Sequence, residues 1–240
     1  MMNLETLLKD YHNHVKERAN DNIPPLPLNA EQTNIVIELL EKVDTSQSDY
    51  LVNLLTNRVP PGVDEAAYVK ASWLTAIANG EKSCDFISPI KAISLLGTMI
   101  GGYNVNSLVE ILKKEDKVTS KEAANVLKKI ILVYDAANDI FELSKNNQYA
   151  RQVIDSWAQA EWFTNKKSLP KEIKCLVFKV KGETNTDDLS PAVHATSRPD
   201  IPLHSLSMLE FKEETGLNIL EGLKSQNIQI AYVGDVVGTG

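Results

Sequence analysis

Three short segments hold residues whose types and spacing can do chemistry. In residues 197–202, Arg198 presents a planar fork of N–H donors that matches a carboxylate or a phosphate, and Pro199 stiffens the backbone that carries it. Spacing alone equally allows a solvated surface arginine. In residues 182–191 the adjacent Asp187 and Asp188 can ligate a hard cation, accept hydrogen bonds from substrate hydroxyls, or cap a turn, and capping is the commonest use of such residues. In residues 234–240, Gly238-Thr239-Gly240 reads as a turn whose backbone N–H groups converge on an anion, although it lacks the Gly-Lys-Ser/Thr of a phosphate-binding loop. The histidines add little. His12 and His14 lie two apart on a helix and face different ways, His194 reads as an exposed loop residue, and His204 as the start of a short helix.

The elements that must position these segments are two strands. Residues 173–180 are rich in β-branched and aromatic side chains and are bounded by Gly182; residues 228–233 are apolar and end at Gly234. Loops at strand ends are where α/β folds place ligands. Residues 217–223 predict a short helix between the strands, so the order β, loop, α, β marks the opening of an α/β domain, with its boundary near residues 165–171.

Ahead of that boundary the apolar residues recur at helical spacing. The stripes are Leu4, Leu7, Leu8, Tyr11 and Val15; Ile35, Val36, Leu39 and Leu40 behind an N-cap at Asn29; Tyr50, Leu51, Leu54 and Leu55; and Ala66, Val69, Trp73, Leu74 and Ile77. Ser88-Pro89 opens the next helix, with proline where its missing N–H has no partner to lose. Further stripes predict a helix at Leu108, Ile111 and Leu112, a long one through Val126, Ile130, Val133 and Tyr134, and a last one from Tyr149 to Ala160. Trp73, Trp157 and Trp162 read as packing residues. Successive pairs recur at the roughly 35–40-residue spacing of HEAT-like repeats. The expected class is α plus α/β, with a HEAT-like helical domain over residues 1–166 and an α/β domain over 167–240.

Composition excludes several function classes. The formal net charge is −7, with about −5 in residues 1–166, so a dedicated nucleic-acid binder's basic footprint is missing. Lys113, Lys114, Lys117, Lys121, Lys128 and Lys129 cluster, but Glu115, Asp116 and Glu122 interleave with them, as on a solvated helix face. No run reaches the roughly 18 apolar residues needed to span a bilayer, and the first residues lack a signal-peptide pattern, so a cytoplasmic chain with no membrane partner is expected. Cys84 and Cys175 are the only cysteines, which argues against a disulfide framework and cannot supply the three or four thiolates of an iron–sulfur cluster.

Six segments together resemble the bacterial aconitase B family over nearly the whole chain: residues 57–71 (Asn57-Arg58-Val59-Pro60-Pro61-Gly62 onward), 95–104 (with Gly101-Gly102-Tyr103-Asn104), 160–163, 182–191, 197–202 and 231–240. The resemblance implies a HEAT-like domain, then the start of a swivelling α/β domain, incomplete here, with cluster-bearing domains beyond. It implies a hydro-lyase that interconverts citrate and isocitrate through cis-aconitate, and 2-methylisocitrate as a further substrate. In that family a [4Fe–4S] cluster with three cysteine ligands leaves one iron to act as Lewis acid, and the ligands lie in the C-terminal part, so no cluster is expected on this chain.

Residue by residue, Arg198 matches the family's substrate-binding arginine. Asp187 matches the acidic residue of the wider aconitase Thr-Thr-Asp-His loop. Asp188 stands where that loop has histidine, which is the aconitase B pattern and leaves both acids a supporting role. Gly238, Thr239 and Gly240 match the turn that precedes a Ser-Ser-Arg, whose serine is the family's catalytic base, so the chain holds no catalytic residue of its own. Between Met208 and Gln226 the chain is shorter than the family's usual length. The family's associations also imply a rival role as a binding module, with the helical array mediating homodimerisation or contacting messenger RNA.

Overall fold

The computed structural model describes residues 4–20, 25–42, 47–130, 132–194, 204, 207–210 and 229–239. The chain divides into two compact units, one of residues 28–167 and one of residues 1–27 together with 168–240. The second unit opens with α1 (Leu4–Asn20). The first unit holds α2 (Ala30–Leu40), α3 (Ser48–Asn57), α4 (Glu65–Ala78), α5 (Pro89–Leu96), α6 (Val105–Lys113), α7 (Thr119–Leu127), α8 (Ala136–Ser144), α9 (Gln148–Ala158) and the single turn α10 (Glu161–Thr164).

Local chemistry sets where these helices start. Asn29 accepts from the Gln32 N–H while the Gln32 side chain accepts from the Asn29 N–H, a reciprocal capping box on α2. Ser88 accepts from the Lys91 N–H and Pro89 takes the first position of α5. The stripes then go inward: Val36, Leu40, Leu51, Leu55, Leu74, Ile93, Leu96, Leu108, Ile111 and Leu112 are all buried. Helices pack in pairs, α4 on α5, α6 on α7 and α8 on α9. The pairs meet through α2 on α4, α5 on α7, α6 on α8 and α7 on α9.

Helix ends leave backbone carbonyls without intrahelical partners, and here side chains from neighbouring elements fill that need. Asn104 Nδ2 donates to the carbonyls of Leu96 (2.8 Å) and Met99 (3.1 Å), Ser120 Oγ to Ile111 (2.8 Å), Asn147 Nδ2 to Leu112 (3.0 Å) and Trp157 Nε1 to Leu127 (3.0 Å). The buried Lys70 Nζ donates to the Thr56 carbonyl (3.3 Å), in the last turn of α3. Trp73 Nε1 and Lys82 Nζ both donate to Glu41 at the end of α2 and hold its carboxyl below the ordinary carboxylate value, the Lys82 bond first.

Two of the segments that carry the family resemblance meet here. Ile100 N–H donates to the Pro61 carbonyl (2.8 Å), Tyr103 Oη donates to the Val63 carbonyl (3.1 Å), and Tyr103 stands edge-on to Tyr68. A Cβ on Gly101 would lie 2.1 Å from the backbone of Gly62, so only glycine permits this approach.

The long helix expected through Tyr134 does not form. α7 stops at Leu127, Tyr134 takes a left-handed φ of 51°, and a separate helix, α8, follows from Ala136. Ile130, Ile131, Leu132 and Val133 form an unbroken apolar run in the sequence, so the helical spacing of Val126, Ile130 and Val133 does not by itself mark one face. Ala160 is likewise left-handed and ends the helix of Trp157 two residues early; Trp162, read as a packing residue, is exposed.

In the second unit β1 (Cys175–Asn185) pairs in parallel with β2 (Gln229–Thr239), from Cys175 opposite Gln229 to Asn185 opposite Thr239. The chain is therefore mostly helical with a small parallel sheet, in keeping with the expected α plus α/β class. Both strands outrun the expected boundaries. β1 passes through Gly182, and residues 234–239 are strand and not loop. The short helix expected at 217–223 lies outside the described residues.

Asn147 caps α9 through the N–H groups of Tyr149 and Ala150 while tying α6, and it is buried. Asn147→Ala is expected to lower the unfolding free energy by about 2–3 kcal/mol. The exposed Asn146→Ala should stay within about 0.5 kcal/mol. Denaturant midpoints read the difference, and equal midpoints would refute it.

Candidate functional site

Parallel pairing puts the carboxyl ends of β1 and β2 side by side. Asn185 opposite Thr239 brings the acidic turn and the Gly238-Thr239 end to one edge of the sheet, so two of the three segments singled out from sequence are neighbours. The third is not placed: Arg198 and Gly240 lie outside the described residues.

The acidic turn is built by its own side chains. α11 (Thr186–Leu189) starts at Asn185, whose Oδ1 accepts from the Asp188 N–H (2.9 Å) while Asp188 Oδ2 accepts from the Asn185 N–H (3.0 Å). Asp188 is thus a capping residue, one of the three uses its position allowed, and Asp187 beside it is exposed. A turn of the 3₁₀ type follows at Ala192–His194.

Two irregularities shape the strand ends. Between the pairs Val180–Gly234 and Glu183–Val236, β1 has one residue more than β2, and Gly182 takes the positive φ of 73° that such a bulge needs. Between Thr184–Val237 and Asn185–Thr239 the extra residue is Gly238, on β2. Asp235 staples the first bulge, accepting from Lys179 Nζ (2.8 Å) and from the Gly182 N–H (3.0 Å). The Lys179 bond, and after it the Gly182 bond, holds the Asp235 carboxyl below its ordinary value.

Beyond α11, three contacts join residues 188–194 to residues 204–210. His194 Nε2 lies 2.6 Å from Glu210 Oε1, Ser190 Oγ lies 3.2 Å from His204 Nε2, and the Leu209 N–H donates to the Asp188 carbonyl (2.6 Å). His194 is therefore no exposed loop residue: its side chain is 12% exposed, and that of Glu210 2%. Nothing in local spacing marks Glu210, which is 16 residues from its partner. Elsewhere, His14 accepts from the Leu26 N–H (2.9 Å).

The thiols do not fit an iron–sulfur cluster. Cys84 is half-buried with Sγ 3.7 Å from the Leu40 carbonyl, Cys175 is exposed, and two thiolates fall short of the three or four such a cluster needs. Among the described residues no group of three His, Cys, Asp or Glu can hold a metal ion. A cavity of about 650 Å³ in the helical unit is lined by Lys128, Lys129 and Lys166 together with Glu122 and Glu161, a mixed-charge surface like the one expected for the lysine cluster. No described helix is long and apolar enough to cross a membrane.

The family of the aconitate B N-terminal domain matches residues 10–163, and that of the aconitate hydratase 2 N-terminus matches residues 175–240. The chain is 57% identical over 234 residues to aconitate hydratase B of Synechocystis sp., 49% over 245 to that of Escherichia coli and 48% over 245 to that of Pseudomonas aeruginosa. Each match covers 98% of this chain but only 27% or 28% of the relative. The chain thus spans little more than a quarter of the length of the curated relatives it matches. The 245 matched positions exceed the chain's 240 residues, so the latter two relatives carry residues without a counterpart here; the Synechocystis match requires none.

The Asp235 staple makes an acid-limb prediction. Because its native value is lowered, its contribution is present above the ordinary value of 3.8 and is lost as pH falls through the native value. Unfolding midpoints measured from about pH 5 down to about pH 2 should fall less steeply in Asp235→Asn than in the wild type. Parallel curves would show that the staple does not titrate with folding.

Proposed function

Given that the chain belongs to the aconitate B N-terminal domain family, we propose that it is the N-terminal portion of an aconitate hydratase, a cytoplasmic hydro-lyase that interconverts citrate and isocitrate through cis-aconitate and also takes 2-methylisocitrate. The observation that carries this reading is the succession of two matching N-terminal families along one chain, with 57% identity to an aconitate hydratase B across nearly all of it. The stacked helix pairs between residues 30 and 158 support a HEAT-like reading of that part of the helical domain expected over residues 1–166, and the parallel sheet supports reading residues 167–240 as the opening of a swivelling domain.

In this reading the chain's share of the work is to bind and orient substrate. Arg198 grips a substrate carboxylate with two parallel hydrogen bonds, which suits a tricarboxylate trianion. Asp188 shapes the turn at the end of β1 by capping it, Asp187 stands exposed beside it, and Gly238 and Thr239 bring β2 to the same edge. The cluster and its cysteine ligands belong to the remainder of the enzyme, and no step involving them is assigned to residues of this chain.

Two measurements test the reading. In the full-length enzyme Arg198→Lys, which keeps the charge but loses the fork, should raise KM for citrate about tenfold or more. KM and kcat both unchanged in Arg198→Ala would overturn the assignment. The polypeptide of 240 residues should show no turnover of citrate or isocitrate, and measurable hydration of cis-aconitate by it would contradict the division of labour.

A further inference from the structure

We propose that the cavity between the end of α7 and the corner of α9 and α10 binds a nucleoside triphosphate, with the base on Trp162, its N–H edge on Glu161 and the phosphates on Lys128, Lys129 and Lys166. The cavity measures about 650 Å³ and lies wholly within the helical unit. That is inside the roughly 300–1,000 Å³ range of small-molecule sites. It shares no residue with the acidic turn, the strand ends or Arg198, and the substrate reading gives it no task, although residues 160–163 are among the segments that carry the family resemblance.

The corner is held from both sides. Trp157 Nε1 donates to the Leu127 carbonyl (3.0 Å), which ties α9 to the end of α7, where Lys128 and Lys129 follow. Ala160, left-handed at a φ of 51°, ends α9 and starts α10 at once, a strained backbone for a non-glycine residue. The buried Ser156 Oγ then donates to Glu161 Oε2 (2.6 Å), so α9 fixes the carboxylate of the next turn.

The lining is mixed in charge, yet its two signs are not spent on each other. Glu122 accepts from Ser94 Oγ (3.2 Å) and Asn125 Nδ2 (3.3 Å), and Glu161 from Ser156, all neutral donors. Lys128, Lys129 and Lys166 form no ion pair among the described residues, whereas Lys113 and Lys145 on the helix surface pair with Glu110 and Glu142. Lys166 Nζ stands 5.1 Å from the centre of the Phe163 ring. Three such cations around one cavity suit phosphate oxygens. A bare anion leaves Trp162 unused, and that side chain is 45% exposed. A nucleotide uses it, because a base stacked on an aromatic ring gains about tenfold or more in affinity. Glu161 Oε1, which Ser156 leaves unengaged, accepts an N–H from the base edge, and guanine, with adjacent ring N–H and amino donors, supplies one. The net negative charge of residues 1–166 disfavours a polynucleotide, whose backbone would run on past the cavity.

Calorimetric titration of the full-length enzyme with GTP and with tripolyphosphate tests the proposal, with thermal unfolding of each variant measured alongside. GTP should bind with Kd below about 1 mM and about tenfold tighter than tripolyphosphate. Trp162→Ala should weaken GTP about tenfold and leave tripolyphosphate within about threefold, and Trp162→Phe, which keeps an aromatic face, should bring GTP back to within about threefold of the wild type. The Lys128→Ala/Lys129→Ala double variant should weaken both ligands about tenfold. Glu161→Ala should lower the preference for GTP over tripolyphosphate about threefold or more.

No binding of GTP up to about 5 mM overturns the proposal. Equal affinities for GTP and tripolyphosphate overturn it too, since the lysines would then be a general anion surface, and so does loss of both ligands in Trp162→Ala, which would make the tryptophan a packing residue. A single-stranded oligoribonucleotide of about ten nucleotides that binds about tenfold tighter than GTP, with affinity falling steeply as salt rises, assigns the surface to a polynucleotide and overturns it as well. If Trp162→Ala does not fold, the double lysine variant and Glu161→Ala carry the test, and GTP affinity unchanged in both refutes it. None of these titrations depends on KM for citrate, so failure here leaves the reading of Arg198 standing.

Discussion

Parallel pairing of β1 with β2 is the constraint on which the site depends. Two strands can run side by side in the same direction only if the chain leaves the end of one and travels back to the start of the other, which takes a connection of a dozen residues or more. Residues 186–228 are that connection, and they contain the acidic turn and Arg198. The same pairing brings Gly238 and Thr239 up beside the point where the connection departs. The capping box, the Asp235 staple and the His194–Glu210 pair then refine an arrangement that strand direction has already decided.

The helical unit meets a different constraint. Its helices are short, so a large share of their backbone carbonyls sits in last turns, where no intrahelical donor reaches them. Asn104, Ser120, Asn147 and Trp157 answer this by reaching across to carbonyls of other helices, and the buried Lys70 does so too. These are polar contacts inside an apolar stack, and each has a geometry that only one packing satisfies. Apolar stripes bring such helices together with little preference for register; the cross-helix donors select the register.

Much of this was legible in the sequence because local chemistry decides it. Asn29, Ser88-Pro89 and the stripes of α2 to α6 mark their helices, and the β-branched run before Gly182 marks β1. What escaped depends on residues far apart in the chain. Gly182 and Gly234 read as strand ends, yet they lie within continuous strands; at Gly182 a carboxylate on the neighbouring strand accepts the N–H that the bulge exposes, and Gly234 pairs with Val180. α8 escaped because its apolar stripe is short and the residues before it suggest a continuing helix. Asp188 was legible as one of three alternatives. His194 was misread because its partner, Glu210, lies beyond the reach of any local pattern.

The exposed thiol of Cys175 gives the sheet a handle at its opposite edge. It sits at the first residue of β1, while the acidic turn follows the last, and ten residues of extended chain separate them by roughly 33 Å. Cys84 is half-buried and lies in the other unit. A maleimide dye should therefore react first at Cys175 and sit clear of the acidic turn, so that the second unit can be followed by fluorescence without perturbing that end of the sheet.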